Sequence, residues 1–409
     1  MIKPRVLVMD LGSRTNIFGG EARIASILYR GLKEYFETSY LGYETEYIKA
    51  GKDTIMLSRG AKSWQGPAVK KRGLSENWFM RFGYFFLMGR NMLDMGIERE
   101  KLAKKVKLLS PDIVISNSVW DFSTLRYIKG YVDFKTIFID HACISNSNAP
   151  GYLSKTNMPL TLGTGIFGSS IGSIKSKFFR YFDACVALSK VQLKEISKFT
   201  DKVYYIPNGL DINTKHDRKA EERLRERYGL GSSNFIILYL GRMFERQKNV
   251  STLIKAFMRL KGRRLRLLLV GGGQSVTDYI KLASKDRRII FTGEVPEESL
   301  PHLYNISNLF VLPSAWEGSN LTIIEAAAHG LPIIISDNAY SDDLKDPSIG
   351  KLVSFKTFNS NDLADKIAFM LSHKSAMNAA IASSRKIAKR FTERSMLKRY
   401  YSLISRLVR

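Results

Sequence analysis

The sequence predicts an α/β protein that contains two doubly wound domains. Short apolar runs of strand length alternate with helical patterns, this alternating series starts twice, and a turn-rich segment separates the two series. Strands that alternate with helices form βαβ units and buried parallel sheets. A chain of 409 residues is long enough for two such domains, because a domain takes roughly 150 residues.

Each series consists of predicted strands followed by helical patterns. In the first, the strands are RVLVMDL (5–11), DIVISNS (112–118), TIFIDHA (136–142) and ACVALS (184–189), and a helix is predicted from Glu21. In the second, they are FIILYLGR (235–242), LRLLLVGGG (265–273), RIIFTG (288–293), LFVLPS (309–314) and LPIIIS (331–336), and a helix is predicted from Val250. Such nearly continuous apolar runs are typical of strands covered on both faces.

The boundary between the two series is predicted at Pro207, Asn208 and Gly209, which favour a turn. We therefore assign residues 1–208 to a first domain and 209–390 to a second. Residues 391–409 predict a basic amphipathic helix that we expect to pack back on the first domain. Its apolar residues at helical spacing are Met396, Tyr400, Leu403 and Leu407.

The charge is high and unevenly distributed. The formal net charge is +26, yet residues 301–350 contain one lysine against six acidic residues. A basic surface attracts anions such as nucleic acid, phospholipid headgroups or phosphorylated substrates. Non-catalytic nucleic-acid binding is one alternative, but it requires basic and aromatic residues gathered on one face. Because the basic residues are dispersed along the chain and not gathered with aromatic residues on one face, we expect no nucleic-acid partner.

Several function classes lack their sequence signatures. Cys143 and Cys185 form no C-x-x-C pair, no Asp-x-Asp pair occurs, and none of the five histidines has zinc-ligand spacing. There is no G-x-S-x-G elbow, secretory leader or apolar run suited to crossing a membrane. We therefore expect a cytoplasmic protein, peripheral to a membrane at most, that uses no metal and acts through hydrogen bonds and charge.

Three basic residues follow the strand FIILYL. Arg242, Arg246 and Lys248 lie just past its carboxyl end, which is the edge of an open α/β sheet where ligands bind. An arginine fork and a lysine point charge suit a pyrophosphate. The alternative is a solvated loop.

Glycines follow two other predicted strands. Gly19 and Gly20 come between a strand and a helix, and Gly271 and Gly272 belong to VGGG after LRLLLV. Glycine lets the backbone approach an anion or a planar base closely. The alternative for Gly19 and Gly20 is a tight turn, and VGGG does not continue into the G-x-G-x-x-G dinucleotide pattern.

The segment WEGSNLTIIEAAAHG (316–330) places two carboxylates around a predicted helix start. Glu317 precedes the helix, Ser319 or Asn320 caps it, and Glu325 lies in its second turn. Carboxylates accept hydrogen bonds from sugar hydroxyls, and a helix N-terminus binds phosphate. Two structural alternatives remain open. Glu325 would be a buried residue paired with a nearby Lys or Arg, and Glu317 a carboxylate that stabilises the helix dipole.

Together these segments resemble glycosyltransferase family 4, whose members are retaining, metal-independent enzymes of the GT-B fold. The resemblance rests on FGGEAR, IPNGLD, GR-x5-K from Arg242 to Lys248, VGGG, TGEV, the E-x7-E spacing from Glu317 to Glu325, and GKLV at 350–353. It is tight over 236–353 and mainly topological over 1–210. It implies two Rossmann-like domains that face a central cleft.

The resemblance also implies roles for particular residues. Arg242 and Lys248 would hold the donor diphosphate, Glu325 the nucleotide ribose and Glu317 the sugar hydroxyls. His141 matches the family's histidine near the transferred sugar, although a histidine at a strand end is often structural. The remaining donor-binding positions implied are Gly19, Gly20, Gly271, Gly272, Gly318, Ser319, Asn320 and Leu321.

The implied reaction is front-face transfer with retention, from a nucleotide-diphosphate sugar to a hydroxyl of a sugar, lipid-linked or glycan acceptor, without cofactor. A sugar-nucleotide epimerase or hydrolase of the same fold is the alternative. Two segments depart from the family pattern. NAYSDDL (338–344) replaces a glycine pair and a glutamate, and EGSNL replaces the common EGFGL. These departures leave the sugar and the local backbone geometry open.

The segment 59–90 predicts a membrane contact. It interleaves Lys70, Lys71 and Arg72 with aromatic residues at helical spacing, a pattern that suits a helix at the level of lipid headgroups. The alternative is a core helix with a solvated loop. We expect an anionic membrane surface, bearing a lipid-linked acceptor, as the partner of this segment.

Overall fold

The computed structural model describes residues 3–11, 20–45, 47–57, 99–141, 175–319 and 321–409. Its strands form two entirely parallel sheets. The predicted α/β class with two doubly wound sheets is therefore confirmed. Residues 59–90, on which the membrane prediction depends, lie outside the described residues.

In the described part of the chain, the first sheet has seven strands in the order β3-β2-β1-β4-β5-β6-β7. Their bounds are β1 Arg5–Asp10, β2 Glu37–Tyr43, β3 Thr54–Leu57, β4 Ile113–Ser116, β5 Lys135–Asp140, β6 Ala184–Ala187 and β7 Val203–Tyr205. The order reverses between β1 and β4, which places the topological switch point, where open α/β sheets bind ligands, beside the end of β1.

The second sheet has six strands in the order β10-β9-β8-β11-β12-β13. Their bounds are β8 Phe235–Leu240, β9 Leu265–Val270, β10 Ile289–Gly293, β11 Leu309–Leu312, β12 Ile333–Ser336 and β13 Val353–Phe355. Here the switch point lies between β8 and β11. The segments that carry Arg242 and Glu317 therefore leave the sheet at its ligand-binding edge.

The helices connect these strands across both faces of the sheets. Among the described residues, four accompany the first sheet, namely α1 Gly20–Gly31, α2 Arg99–Leu109, α3 Phe122–Lys129 and α4 Lys190–Ile196. Nine follow it, namely α5 Arg218–Arg227, α6 Glu245–Lys248, α7 Val250–Arg259, α8 Val276–Ala283, α9 Leu300–Asn305, α10 Leu321–Ala328, α11 Ser360–Ser372, α12 Lys374–Arg390 and α13 Glu393–Leu407. Residues 175–180 are also helical, and short 3-10 turns span Leu32–Glu34, Val119–Asp121 and Glu297–Ser299.

The central strands are buried on both faces, as their apolar runs predict. In β1, Val6 and Val8 pack in one apolar cluster with α1, whereas Leu7 and Met9 pack in another on the opposite face. The cluster on the α1 side also contains residues of the second sheet and of α13. One continuous core thus joins the two sheets on that side. Among the described residues, no helix is long and apolar enough to span a bilayer.

The last helix returns to the first sheet. Leu397 lies against Gly31, where an added Cβ would meet its Cδ1 at 2.3 Å, and the ring of Tyr401 stacks on Phe36 at 5.6 Å. The contact between Gly209 and the start of the last helix is equally close, because a Cβ added to Gly209 would lie 2.1 Å from the carbonyl oxygen of Thr392. The domain limits of 208 and 390 remain a prediction.

Candidate active site

Two helix N-termini meet where the sheets face each other. Gly20 begins α1, and an added Cβ there would come within 2.9 Å of Leu321 Cδ1 at the start of α10. One turn further, Arg23 of α1 forms an ion pair with Glu325 of α10. Because the positive ends of both helix dipoles meet at this junction, it favours an anion. We call this junction the cleft.

The glycines of VGGG allow two strand-end turns to touch. Gly271 has φ +126°, and an added Cβ would lie 2.1 Å from the carbonyl oxygen of Gly241. Gly272 accepts a 2.6 Å hydrogen bond from the Met243 N–H. This close contact fixes the turn that carries Arg242 next to the end of β9. The glycines therefore have a packing role whether or not a ligand lies against them.

The basic segment after β8 is held by its own short helix. Lys248 ends α6, and Asn249 follows in the left-handed region with φ 49°. The buried Asn249 side chain donates to the Pro313 carbonyl at 3.0 Å, which ties this segment to the loop after β11. Arg242 is exposed and Arg246 is half-buried. The strand ends thus bring the basic segment and the carboxylate segment together, as the sequence predicts.

Glu317 is paired rather than open to solvent. Its Oε1 accepts a 2.7 Å hydrogen bond from Lys248 Nζ and a 2.5 Å hydrogen bond from Ser314 Oγ. Its negative charge and the positive charge of Arg242 act oppositely on Tyr239, whose pKa is raised chiefly by burial, further by Glu317, and lowered by Arg242. Glu317 and Arg242 thus both act on the buried Tyr239, whose Oη donates to the Arg242 carbonyl at 2.8 Å.

Glu325 is buried and has partners on both oxygens. Arg23 donates to Oε1, and Tyr304 of α9 donates to Oε2 at 2.6 Å. Burial lowers the pKa of Arg23, but the carboxylates of Glu325 and Glu297 outweigh this effect and raise it. The described residues thus match the structural alternative of a buried carboxylate paired with an arginine. A carboxylate has further lone pairs, so this pairing leaves room for a hydroxyl donor.

His141 follows β5 at the carboxyl edge of the first sheet. Its Nε2 lies 3.0 Å from Asn117 Oδ1. Burial lowers the pKa of the imidazole to about 4, so the ring is neutral at pH 7. The ring can therefore offer hydrogen bonds but no positive charge.

The first-sheet side of the cleft is rich in buried carboxylates. Asp10, Asp121 and Asp140 are fully buried. Asp121 accepts from the Leu11 N–H at 2.7 Å and from the Ser118 N–H at 3.0 Å. Burial and the neighbouring Asp10 nevertheless raise its pKa well above the usual value. These groups fix the loops at the ends of β1 and β4.

Glu21 extends this acidic group into the cleft. It is half-buried in the first turn of α1, and burial followed by Asp10 raises its pKa to about 7. The positive charge of Arg242, from the second sheet, acts in the opposite direction. The structure thus brings Glu21 and Arg242 to the same junction from opposite sides.

The NAYSDDL segment contacts the first sheet. Asp343 accepts from the Lys190 N–H, at the start of α4, at 3.1 Å and from Tyr205 Oη at 2.5 Å. Nearby, Asn208 Nδ2 donates to Ser319 Oγ at 2.8 Å. Asn208, Ser319 and Asp343 line a cavity of about 40 Å³, far smaller than the several hundred Å³ of a typical ligand pocket. Asp343 therefore anchors the NAYSDDL segment to the first sheet.

The predicted site residues divide into three groups. The structure brings Gly20, Arg242, Lys248, Glu317, Leu321 and Glu325 to the cleft, with Gly318 and Ser319 beside the small cavity and Gly271 and Gly272 behind the basic turn. It places His141 on the first-sheet side. Gly19 and Asn320 lie outside the described residues.

Sequence reasoning missed four residues of the site, Arg23, Tyr304, Asn117 and Glu21. For Arg23 a signal exists, because it lies three residues after Gly20 and so shares its helix face, just as Glu325 shares a face with Leu321. Tyr304 and Asn117 carry no such signal, since their contacts join segments 21 and 96 residues apart.

Within the described residues, no group of three or more His, Cys, Asp or Glu side chains is arranged to hold a metal ion. Cys185 is a buried free thiol whose pKa is raised by burial.

A family model and several known proteins match part of the chain in sequence. Residues 220–387 match the family Glycosyl transferases group 1. EpsF of Bacillus subtilis is 32% identical over 145 residues, which are 34% of this chain and 37% of EpsF. The UDP-Gal:alpha-D-GlcNAc-diphosphoundecaprenol alpha-1,3-galactosyltransferase of Escherichia coli is 29% identical over 157 residues, 36% of this chain and 40% of that enzyme. The chain thus aligns with less than half the length of these relatives.

Solved structures match the whole fold. HepE of Anabaena, determined in complex with UDP and glucose, superimposes with a TM-score of 0.71 over 98% of this chain and 100% of HepE, at 14% identity. Sucrose-phosphate synthase of Thermosynechococcus elongatus superimposes with a TM-score of 0.72 over 99% of each chain, at 15% identity. The chain therefore has the GT-B fold, and its residues 220–387 match the family Glycosyl transferases group 1.

Proposed function

We propose that the chain is a retaining, metal-independent glycosyltransferase that moves a sugar from a nucleotide-diphosphate donor to an acceptor hydroxyl. The observation that carries the proposal is the cleft itself. There, two facing helix N-termini and the cations of Arg242 and Lys248 lie beside the carboxylates of Glu317 and Glu325. Phosphates suit the first set of groups, and sugar hydroxyls suit the second.

The donor diphosphate is assigned to Arg242 and Lys248. Lys248 is engaged by Glu317 at 2.7 Å, so a bound diphosphate would share this ammonium group with the carboxylate. As the sugar leaves, negative charge grows on the diphosphate oxygen. Fixed cations stabilise that charge without reorganisation.

Hydroxyl recognition is assigned to the two carboxylates. Glu325, already oriented by Arg23 and Tyr304, is proposed to accept from the ribose, and Glu317 from the transferred sugar. A carboxylate held by other donors needs no rotational ordering when a hydroxyl arrives. The ion pairs of the cleft thus preorganise the acceptor oxygens.

The proposed transfer occurs on one face of the sugar. The bond between the anomeric carbon and the diphosphate oxygen breaks, and its electron pair leaves with the diphosphate. The acceptor hydroxyl oxygen bonds to the same face of that carbon, and its proton passes to the departing diphosphate oxygen. No protein nucleophile is needed. Nuclear magnetic resonance of the product anomer tests this step, and an inverted configuration would contradict it.

The donor is identified by thermal shift of the full chain with UDP-, GDP- and ADP-sugars. A ligand that binds only the folded state raises stability by about 2.7 kcal/mol at a hundredfold excess over its Kd. UDP is the first nucleotide to test, because HepE was determined with UDP and glucose. A shift with one donor, lost in Glu325→Ala, is expected. No shift with any donor would argue against the assignment.

Metal independence and transfer are tested together. With the identified donor, product formation is expected to be unchanged after EDTA treatment, because Arg242 and Lys248 take the place of a cation. Mass spectrometry of the acceptor separates transfer from the epimerase or hydrolase alternative, since only transfer adds the mass of the sugar to the acceptor.

Membrane recruitment is proposed for the segment 59–90. Co-sedimentation with vesicles containing anionic phospholipid at low salt is expected for the full chain, and weaker binding for a variant with Lys70, Lys71 and Arg72 changed to Glu. Binding that is equal for both proteins, or absent at low salt, would contradict the prediction. On this proposal the protein works at the cytoplasmic face of a membrane, on a lipid-linked or glycan acceptor.

A further inference from the structure

Asn117 links the start of α1 to His141. It is fully buried and directly follows β4. Its backbone N–H donates to the Met9 carbonyl of β1 at 2.9 Å. Its side chain reaches two groups from different parts of the first domain, the Glu21 backbone carbonyl and the His141 ring. The position of the amide is therefore fixed by three neighbouring elements.

The Glu21 carbonyl determines the orientation of this amide. Asn117 Nδ2 lies 2.9 Å from that oxygen. A backbone carbonyl can only accept, so the NH₂ group has to face it. Asn117 Oδ1 then has to face His141, which lies 3.0 Å away through Nε2. The reverse orientation would put two acceptors against each other at Glu21.

The orientation of the amide in turn determines the tautomer of His141. Asn117 Oδ1 can only accept, so the His141 nitrogen beside it has to carry a proton. Burial lowers the pKa of the ring to about 4, so at neutral pH the ring has one proton. That proton is on Nε2, and Nδ1 keeps its lone pair.

We propose that Asn117 is a positioning residue that holds His141 as the tautomer with its proton on Nε2, which makes Nδ1 a hydrogen-bond acceptor for a sugar hydroxyl. The identity of that hydroxyl group rests on the proposed function. The tautomer does not, because it follows from the contacts of Glu21, Asn117 and His141 alone. Asn117 thus determines which kind of hydrogen bond the histidine can make.

The tautomer is read directly from the ¹⁵N shifts of the imidazole in the full-length protein without donor or acceptor. His141→Gln identifies its signals among those of the five histidines. The expected spectrum has a protonated, pyrrole-type Nε2 and an unprotonated, pyridine-type Nδ1. A ring protonated on Nδ1, or on both nitrogens at neutral pH, would overturn the proposal.

Two substitutions separate positioning from general destabilisation. Asn117→Asp keeps an acceptor oxygen beside His141 and is expected to keep the proton on Nε2, but with lower stability, because its second oxygen then faces the Glu21 carbonyl. Asn117→Ala removes the acceptor and is expected to give a mixture of tautomers, while Ser26→Ala, a buried truncation on α1, leaves the spectrum unchanged. An unchanged Nε2 signal in a folded Asn117→Ala protein would refute the role of Asn117. If that variant does not fold, the spectra of the wild type and Asn117→Asp decide.

The kinetic readout applies once a donor is known. Asn117→Ala is expected to lower kcat about tenfold, as for other residues that orient a functional group through a hydrogen bond, with the KM for the donor nearly unchanged. A kcat of Asn117→Ala equal to that of the wild type would overturn the link between the tautomer and turnover. Failure of transfer in the wild type would instead contradict the proposed function and leave the spectrum as the test of the tautomer.

Discussion

The second-sheet wall of the cleft carries its charge in ion pairs, whereas on the first-sheet wall Asn117 joins His141 to the start of α1 through partly buried hydrogen bonds. Lys248 with Glu317, and Glu325 with Arg23, belong to the first kind. Asn117 and His141 belong to the second. Ion pairs can rearrange when a charged ligand arrives, but a buried network keeps one geometry because any unpaired group would be costly. On the proposed function, the second-sheet wall binds the donor through charges that can rearrange, and the first-sheet wall presents His141 in one fixed orientation.

The largest expected effect is the loss of a cation from the second-sheet wall. Lys248→Ala should lower the rate of transfer by about 10²-fold or more, because the developing charge on the diphosphate loses a fixed partner. Lys255→Ala, at an exposed position on α7, is the matched control and should keep its rate. Equal rates for both variants would show that Lys248 serves only to hold Glu317.

The next effect tests the pair that joins the walls. Arg23→Ala leaves the buried Glu325 carboxylate without its cation and should reduce the free energy of unfolding by about 3 kcal/mol. Adding Glu325→Gln to Arg23→Ala should cost less than the two single changes summed, because neither residue then lacks a charged partner. Chemical denaturation of the four proteins measures this coupling. Additive losses would mean that the pair contributes nothing.

A smaller effect separates two neighbouring glycines. Gly271→Ala should destabilise the protein by roughly 1–3 kcal/mol, since its positive φ strains an L-residue and the new Cβ meets the Gly241 backbone. Gly272→Ala is the control, because its Cβ would meet the flexible Glu294 side chain instead. Thermal unfolding compares the two variants. Equal stabilities would contradict a packing role specific to Gly271.

The smallest effect is a pH dependence of the free energy of unfolding, caused by His141 on the first-sheet wall. The pKa of His141 is lowered to about 4 by burial, against about 6.5 in an unfolded chain. Between these pH values the His141 ring is protonated in the unfolded chain but not in the folded protein. The free energy of unfolding therefore falls as the pH drops from 6.5 towards 4. In His141→Gln the fall should be shallower, whereas the exposed His373→Gln should behave like the wild type. Unfolding measured across this range would contradict the assignment if all three slopes coincide.

Much of the fold follows from the sequence because the central strands are long apolar runs. Strands such as β8 and β9 are found where their apolar residues predict them. Four observed strands, β2, β3, β7 and β13, are not predicted by the sequence pattern. All four lie at or beside a sheet edge. Three of them, β3, β7 and β13, are edge strands of three or four residues, and edge strands are often very short, which limits pairing with other chains. β2 is paired on both sides but mixes polar residues into its apolar pattern, as ETSYLGY.

The site is predictable where ligand-binding groups follow strand ends. Arg242, Lys248, Glu317 and Glu325 share one sheet edge because parallel strands all end there, and the chain order is enough to place them. The side chains that pair with these residues from other segments cannot be placed from the chain order. Arg23, Tyr304 and Asn117 reach the site only through packing between helices and sheets.

The sequence by itself determined the α/β class, the two series of strands and the residues at the sheet edge, because periodicity and strand ends are local properties. Only the tertiary structure decided that Glu325 pairs with Arg23, that Asp343 anchors to α4 and β7, and that Asn117 faces His141. These contacts join residues far apart in the chain. Their geometry depends on how α1 meets α10 and how β4 lies beside β1 and β5, which no local pattern encodes.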